Sequence, residues 1–394
     1  MYRIVEVNDK KTEREFINLP LRLYKDNPYW VRPIDKDIRN KFDPRKNPCF
    51  RHGRLVRWIL VKENEVVGRV AAFVNEKTAC VGKYRVGQFG FFECIDDRKA
   101  AFALFDRCRE WLENEGMEAM EGPVNFGERL EWWGLLVDGY DKMPNYNMSY
   151  NPEYYVDFFE SYGFKDYYKQ FTFRTRVMPE SLSPMVVWKA DRMLKNPDYK
   201  VYTYGDIGRR RAIDALLEVY NKAWSLEVHG VSSISREEVV DTYRKIGPIM
   251  DKNLIYFAFY KNAPIGFFVM LPELNQAVKR LKGKMNMGGM LKLLYIRYIT
   301  KINVALGILF GVVPEFQGKG VEATMIKMFS DKMAGGKSCY DYLEMNWIGD
   351  FNPPMVHLMR HISATASKTH VTYRKLFDES RTFVRSVDEN FEKA

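Results

Sequence analysis

The stretch Val304-Ala-Leu-Gly-Ile-Leu-Phe-Gly-Val-Val-Pro-Glu-Phe-Gln-Gly-Lys-Gly320 runs from an apolar strand into a glycine-rich turn. The apolar residues after it are spaced as on one face of a helix: Val321, Met325, Ile326, Phe329 and Met333. Glycines permit a tight turn, and the first N–H groups of a helix carry the positive end of its dipole. The stretch predicts a strand, turn and helix with an anion site, for which a diphosphate is the natural occupant. An ordinary strand-to-helix turn is the alternative for an isolated Gly-x-Gly.

The order of elements around this stretch occurs twice along the chain. Each half is predicted to contain an apolar hairpin, at residues 56–74 and 254–271, and then alternating strands and helices. The last strands are predicted near residues 171–177 and 370–375. The sequence therefore predicts an α/β protein with a mixed sheet of the α+β type. Its two domains are expected at residues 1–178 and 199–394, with a proline-containing linker at 179–198.

Length and composition set the class of protein. A chain of 394 residues is long for one hydrophobic core and sufficient for two. The five cysteines form no C-x-x-C pair, so neither a disulfide framework nor a zinc ribbon is indicated. The amino terminus has no apolar signal segment, and no apolar run is long enough to span a bilayer. A cytoplasmic protein in a reducing compartment is expected.

The net charge of +10 favours an anionic partner, which could be nucleic acid, a lipid surface or a phosphorylated small molecule. No zinc finger, RNP-type motif or helix-turn-helix pattern is evident, so nucleic acid is not an expected partner. Residues 279–301 mix lysine and arginine with methionine and leucine. This segment is compatible with peripheral contact to an anionic membrane, or with a basic helical insertion between two strands.

The segment Val312-Val-Pro-Glu-Phe-Gln-Gly-Lys-Gly-Val321 resembles the acyl-CoA-binding motif of the GNAT N-acyltransferases, Q/R-x-x-G-x-G/A. The resemblance implies that coenzyme A is held at its diphosphate by Val312, Val313, Gln317, Gly318, Lys319, Gly320 and Val321. Glu322 departs from the motif, which has glycine or alanine there. Its carboxylate would either repel phosphate or point to solvent as a favourable acid at the helix start.

A later segment, residues 347–355, resembles the part of the GNAT family in which an asparagine lies beside the pantetheine arm; here that residue is Asn352. The family's tyrosine, which protonates the leaving thiolate, is replaced by Met359 or a neighbour. The resemblance implies acetyl-CoA or another acyl-CoA as cosubstrate and no metal. Glu344, the nearest acid on a predicted core strand, is the candidate general base. An acid facing a polar cleft or the sheet edge is the alternative interpretation.

The first half has a different turn at the matching place. Glu93-Cys-Ile-Asp-Asp97 holds three acids and no glycine, so it should reject a diphosphate. The segment from Asn151 to Phe164 is similar to the family's closing helix. The first half is therefore expected to be a degenerate GNAT-like copy. Fem-type and N-myristoyl transferases are precedents for paired GNAT domains.

Aromatic segments and a histidine pair are two further patterns, each with a functional and a structural interpretation. Trp132-Trp-Gly134 and the tyrosine-rich residues 140–155 could line an acceptor cleft between the domains, although dense aromatics are more often core or interface. His357 and His361 are four apart on a predicted helix, but no third ligand accompanies them, so no metal site is expected.

Two functions follow from the resemblance. The first is an acyl-CoA-dependent N-acyltransferase that moves an acetyl or other acyl group to a small-molecule or peptide amine. Direct attack of the amine on the thioester needs no covalent intermediate, so the lack of a nucleophile motif is no objection. The second is a non-catalytic GNAT-fold protein that binds a ligand or partner, which Glu322 and the missing tyrosine favour.

Overall fold

The structure is a computed structural model that describes residues 1–127, 129–223, 233–285, 287–299, 301–335 and 340–391. Its strands form one mixed sheet. They are β1 (Tyr2–Glu6), β2 (Gly53–Lys62), β3 (Glu65–Asn75), β4 (Val86–Cys94), β5 (Ala119–Gly122), β6 (Leu135–Asp138), β7 (Lys165–Arg176), β8 (Tyr199–Thr203), β9 (Ile255–Tyr260), β10 (Ala263–Pro272), β11 (Val304–Val312), β12 (Tyr342–Gly349) and β13 (Thr365–Leu376).

The helices cover both faces of this sheet. They are α1 (Lys10–Leu23), α2 (Asp35–Phe42), α3 (Glu76–Ala79), α4 (Arg98–Asn114), α5 (Tyr154–Tyr162), α6 (Pro184–Leu194), α7 (Tyr204–Ala223), α8 (Arg236–Ile246), α9 (Asn275–Val278), α10 (Met287–Ile299), α11 (Val321–Ala334), α12 (Pro353–His361) and α13 (Ser386–Phe391). Among the described residues, no helix is long and apolar enough to cross a membrane.

The two predicted hairpins are confirmed, and local sequence explains their turns. β2 pairs with β3 around Glu63 and Asn64, and β9 pairs with β10 around Lys261 and Asn262. All four turn residues have positive φ, between 47° and 68°. Two successive residues of this kind give the turn whose twist matches that of the flanking strands, and asparagine tolerates it well. Each hairpin starts one half of the sheet.

The final strands of the two halves are exchanged. The order across the sheet is β1-β2-β3-β4-β5-β13-β7-β12-β11-β10-β9-β8, with β6 pairing β13. β7 therefore pairs with β12 of the second half, while β13 completes the first half by pairing with β5. The antiparallel ladder between β7 and β13 joins them. The halves consequently share one uninterrupted sheet.

The parallel strands in the middle of each half pair over only part of their length. The ladder between β4 and β5 ends at Gln88 and Glu121, although β4 continues to Cys94. The ladder between β11 and β12 ends at Gly307 and Met345, although β11 continues to Val312. Each half thus has a point beyond which its central strands are no longer hydrogen-bonded to each other.

Side-chain alternation in the strands assigns the helices to opposite faces. In the first half, Trp58 and Leu60 pack with α4 and α5, whereas Ile59 packs with α1 and α2. In the second half, Phe268 packs with α6 and α11, whereas Phe267 packs with α7. The cores lie between the sheet and these two layers.

Local sequence also explains where two helices begin. α1 begins at Lys10 and is capped by Asp9, because the side chains of Asp9 and Thr12 form the reciprocal capping box. The segment predicted as a linker at residues 179–198 contains α6. Ser183 caps α6 and Pro184 occupies its first turn, where the missing N–H of proline costs nothing.

Candidate functional site

The predicted coenzyme A turn forms between β11 and α11, and it brings together Val312, Val313, Gln317, Gly318, Lys319, Gly320 and Val321. Gly318 and Gly320 have φ of 72° and 102°, in the left-handed region that favours glycine. Gln317 Nε2 donates to the carbonyl oxygen of Val312 at 3.0 Å and thereby fixes the turn. The backbone has the shape that the sequence predicts.

Glu322 lies in this turn rather than in solvent. Burial raises the pKa of its carboxyl group, while the backbone N–H groups of Glu322 and Gly318 and the charge of Lys189 oppose the rise. The carboxyl group thus lies beside amides that the motif assigns to phosphate. α6 packs closely against the turn. A Cβ atom at Gly320 would lie 3.0 Å from the carbonyl oxygen of Lys189 on α6, so a side chain at position 320 would be crowded.

Asn352 starts α12, as the sequence predicts, and its side-chain oxygen accepts from the N–H of Met355 at 3.3 Å. Its amide oxygen therefore serves as a helix cap. Met359, at the position of the family's tyrosine, is buried in the core. α12 has no tyrosine to protonate a thiolate.

Glu344 lies on β12 where the ladder to β11 is about to end, and it is 3% exposed. Arg174 and Lys368 donate to its two oxygens at 2.6 Å and 3.2 Å, and Asn145 donates at 2.5 Å. Burial alone would raise its pKa, but Lys368, Asn145 and Arg174 outweigh burial and lower it. A carboxylate whose pKa is lowered by two cations and an amide suits a structural ion pair between exchanged strands better than proton abstraction.

A second buried carboxyl, Glu273, follows β10. It accepts from the backbone N–H groups of Tyr146, Asn275 and Gln276 at 2.8, 3.1 and 3.2 Å. Burial raises its pKa to about 7, and the nearby Lys368 only partly offsets this. Tyr146 donates its backbone N–H to Glu273, and Asn145 donates its side-chain amide to Glu344. These two adjacent residues of the first half therefore contact two buried acids of the second half.

A cleft lies in the first half, beyond the end of the β4–β5 ladder. It contains about 1050 Å³ of empty space, including its solvent-filled mouth. Its apolar wall comes from α1, residues 30–38, β4 and the segments after β5: Ile17, Pro20, Leu21, Trp30, Val31, Ile38, Phe91, Phe92, Val124, Leu135 and Met148. Asn275 contributes from the second half. The cleft thus reaches the junction between the halves.

Glu93 and Arg69 form the charged floor of this cleft. Glu93 accepts from Tyr24 Oη at 2.6 Å, Tyr155 Oη at 3.0 Å and an Arg69 nitrogen at 3.4 Å. Both charged residues are buried, with 8% and 6% of their surface exposed. Burial raises the pKa of Glu93, although Arg69 and the two tyrosines oppose it. A carboxyl group in this setting can bind a cation or exchange a proton.

In the first half, side chains of the chain itself bond the backbone at the end of β4 and at the start of α4. The backbone of Cys94 no longer pairs with β5, and tyrosines take its place: Tyr155 Oη accepts from the Cys94 N–H at 2.7 Å, and Tyr154 Oη donates to its oxygen at 2.9 Å. Asp97 caps α4 by accepting from Lys99 and Ala100. The anion site at that helix start is therefore already filled.

Sequence reasoning found some of these residues and missed others. The aromatic segments proposed for an acceptor cleft do supply Trp132, Tyr146, Tyr150 and Tyr155 to its wall. The roles of Arg69 and Glu273 were missed, because their partners come from distant parts of the chain. Glu93 was noted only as part of an acidic turn.

The pair His357 and His361 meets as the spacing predicts, with its Nε2 atoms 2.9 Å apart. Within the described ranges, no group of three or more histidine, cysteine or acidic side chains could hold a metal ion.

Comparison with known proteins finds similarity along more than nine-tenths of the chain, although no family model matches. The chain is 28% identical over 384 residues to the bacterial ceramide synthase of Caulobacter vibrioides (strain NA1000 / CB15N), covering 94% of this chain and 97% of that one. It is 27% identical over 374 residues to protein YghO of Escherichia coli (strain K12), covering 93% of both chains.

Solved structures define the fold. A tandem GNAT protein from the clavulanic acid biosynthesis pathway superposes with a TM-score of 0.54 at 12% identity, over 95% of this chain and 98% of that one. A GCN5-related glucosamine N-acetyltransferase region of a fungal β-N-acetylglucosaminidase has a TM-score of 0.54 at 9% identity, over 95% of this chain and 38% of that one. The chain therefore has the GNAT fold, with two GNAT-like domains in tandem.

Proposed function

We propose that this protein is an acyl-CoA-dependent N-acyltransferase whose acceptor is a long-chain amine. The amine nitrogen attacks the thioester carbonyl carbon, the C–N bond forms and the C–S bond breaks. One proton leaves the nitrogen, and one proton ends on the thiol of coenzyme A. Positioning of the two reactants accounts for most of the acceleration in such a direct transfer.

The cleft of the first half carries this proposal. It combines an apolar wall, suited to a hydrocarbon chain, with the buried acid Glu93 and its partner Arg69. A ceramide is the N-acyl amide of a long-chain amine, and a ceramide synthase is among the relatives that match nearly the full length. An amine with a long apolar body fits both observations.

In this proposal one domain binds the acceptor and the other binds the acyl-CoA. Residues 1–178 supply the acceptor cleft. Residues 199–394 supply the coenzyme A turn at Gln317–Gly320, and Asn352 lies beside the pantetheine arm. The acyl-CoA displaces the Glu322 carboxylate, since both bind the same amides. Glu344 keeps its ion pairs and orders the junction, rather than acting as the general base.

We further propose peripheral contact with an anionic membrane through residues 279–301. Leu291, Tyr295 and Ile299 are 68%, 64% and 54% exposed on one side of α10. The segment contains seven lysine or arginine residues and no acid. An apolar stripe with a basic flank is typical of helices that lie on anionic lipid, where a long-chain amine also resides. We place this reaction in the cytoplasm, where Cys49, Cys80, Cys94 and Cys108 stay reduced.

The test is amine-dependent release of coenzyme A from a C16 acyl-CoA, with a C18 2-amino-1,3-diol as acceptor. Protein is removed before thiols are counted, because Cys80 is a free, exposed thiol. The N-acetylated diol, which has no free amine, is the control. Acetyl-CoA in place of the C16 thioester measures the preference for acyl length. Absence of amine-dependent release with every thioester would contradict the proposal.

Two observations favour a second candidate, a non-catalytic GNAT-fold protein. The Glu322 carboxyl group lies beside the amides of the predicted phosphate turn, and Met359 stands in place of the general-acid tyrosine. A protein of this kind would bind the long-chain amine and leave the thioester intact.

A further inference from the structure

The cleft of the first half contains polar atoms without partners. Three residues that line it each have one buried side-chain atom without a hydrogen-bond partner among the described residues: Arg69 Nε, Trp132 Nε1 and Asn147 Oδ1. Each unpaired buried donor or acceptor costs about 1–3 kcal/mol. Several such atoms around one cleft indicate positions at which a bound molecule supplies the missing partners.

Two of these atoms lie on neighbouring backbone segments. The N–H of Trp132 donates to the carbonyl oxygen of Asn147 at 2.6 Å, which holds the two residues side by side. Asn147 Nδ2 donates to Glu131 at 3.0 Å, so its amide oxygen faces away from that partner. The indole offers a donor and the amide an acceptor. A hydroxyl group can accept from the first and donate to the second.

The cleft is also lined by a charged group, the carboxylate of Glu93. An ionised carboxylate accepts about four hydrogen bonds, and Glu93 receives three, from Tyr24, Tyr155 and Arg69. Capacity for one more donor therefore remains on an acid that lines the cleft. An ammonium group is a donor with the complementary charge.

From these placements we infer that the cleft recognises the head group of an amino alcohol. Trp132 and Asn147 bind a hydroxyl group, Glu93 binds the amine, and the apolar wall binds the hydrocarbon chain. The inference rests on the proposed function in taking the amine as the reacting group, but the binding itself requires neither acyl-CoA nor turnover.

The experiment measures binding by isothermal titration calorimetry without acyl-CoA. The ligands, kept below their micellar concentrations, are a C12 2-amino-1,3-diol, the C12 primary amine without hydroxyls, and the C12 1,3-diol without the amine. The protein variants are Trp132→Phe, which removes only the indole N–H, and Glu93→Gln. Trp188→Phe is the matched control, because Trp188 lies on α6 and is 55% exposed.

Each variant should affect only the ligands that carry its partner group. Trp132→Phe is expected to weaken the amino diol and the diol about fivefold and to leave the simple amine unchanged, as for one lost neutral hydrogen bond. Its melting temperature should be equal to or above that of the parent, since the lost donor is unpaired in the free protein. Glu93→Gln should weaken both amines at least tenfold and spare the diol.

The pattern of affinity losses across the three ligands tests whether the head-group site exists. If Trp132→Phe weakens the simple amine as much as the amino diol, or if neither variant alters binding, the head-group site is wrong and water or the fold accounts for the unpaired atoms. Ligand-selective losses without any thiol release in the turnover assay would support this site and refute the proposed function. Turnover that is indifferent to both variants would support the function and refute this site.

Discussion

The carboxyl group of Glu322 lies close enough to the backbone N–H of Gly318 for that N–H to oppose the effect of burial on its pKa, in the turn where the sequence motif places a diphosphate. The helix start therefore carries its own anion. Glu322 and coenzyme A compete for the same amides, because a helix N-terminus binds either negative group by the same dipole and N–H donors. Coenzyme A affinity should depend on the cost of displacing this side chain.

Glu322→Ala is expected to tighten the binding of coenzyme A at least tenfold, since removal of a competing charge–amide contact is worth roughly 1.5–3 kcal/mol. Isothermal titration calorimetry with free coenzyme A measures this change. Glu315→Ala is the matched control, because Glu315 is an exposed acid just before the turn. Equal affinities of the parent and Glu322→Ala would show that the carboxylate does not guard the turn.

Glu344→Gln is expected to lower the free energy of unfolding by about 3–5 kcal/mol, because it leaves Lys368 charged and buried. The double variant Glu344→Gln/Lys368→Met should lose less than the sum of the single variants. The lowered pKa of Glu344 means that its contribution to stability is present above the unfolded value of 4.5 and is lost as pH falls through the folded pKa.

Chemical denaturation of these variants across a pH series measures the loss of stability, its non-additivity and its dependence on pH. A Glu344→Gln protein of parental stability that lacks only turnover would instead restore Glu344 as the general base.

Glu273 should make the protein less stable as pH rises from 4.5 to 7. Its folded pKa of about 7 lies above the unfolded value of 4.5, so the folded state binds the proton more tightly. The stabilisation is complete below pH 4.5 and is lost by pH 7, and the difference is about 3 kcal/mol. Lys368 and Glu344 are the charged groups that act on it.

Glu273→Gln should remove this dependence, and the slope of unfolding free energy against pH over that range is the measurement. Glu180→Gln, at an exposed acid, should leave the slope unchanged. A parental slope in Glu273→Gln would rule out the buried carboxyl as its source.

The exposed side of α10 should bind anionic vesicles. Replacement of Leu291, Tyr295 and Ile299 by serine is expected to weaken binding to vesicles of phosphatidylglycerol and phosphatidylcholine at least tenfold, as apolar side chains leave the interface. Binding should also fall as salt increases, because lysines on this segment contribute. Vesicle sedimentation measures both effects, with Val81→Ser as control at a residue that is 72% exposed. Unchanged binding of the triple variant would exclude α10 as the contact.

Local signals in the sequence predicted much of the fold. The hairpins and the unit of β11 and α11 each follow from turn chemistry and periodicity over short distances. α2 was missed because it is short and Ile34 gives it no side-chain cap. The exchange of β7 and β13 was not predictable in this way, because alternation marks a strand without specifying its neighbour.

The candidate site also combines residues that the sequence predicted with residues that it could not predict. The glycine turn was predicted from contiguous residues, whereas the Glu322 carboxylate's contact with Gly318 depends on a side-chain rotamer. The bond between Glu93 and Tyr24 joins residues 69 positions apart, and the bond between Asn145 and Glu344 joins residues 199 positions apart. Such partners are set by the assembled sheet, so composition and spacing could not identify them.

Mass spectrometry of a reaction containing this protein, a C16 acyl-CoA and a C18 2-amino-1,3-diol tests the central claim most directly. The account predicts a base-stable amide whose mass equals the amine plus the acyl group less one hydrogen, formed in equal number with released coenzyme A. A base-labile ester, or unchanged amine and thioester after prolonged incubation, would contradict it.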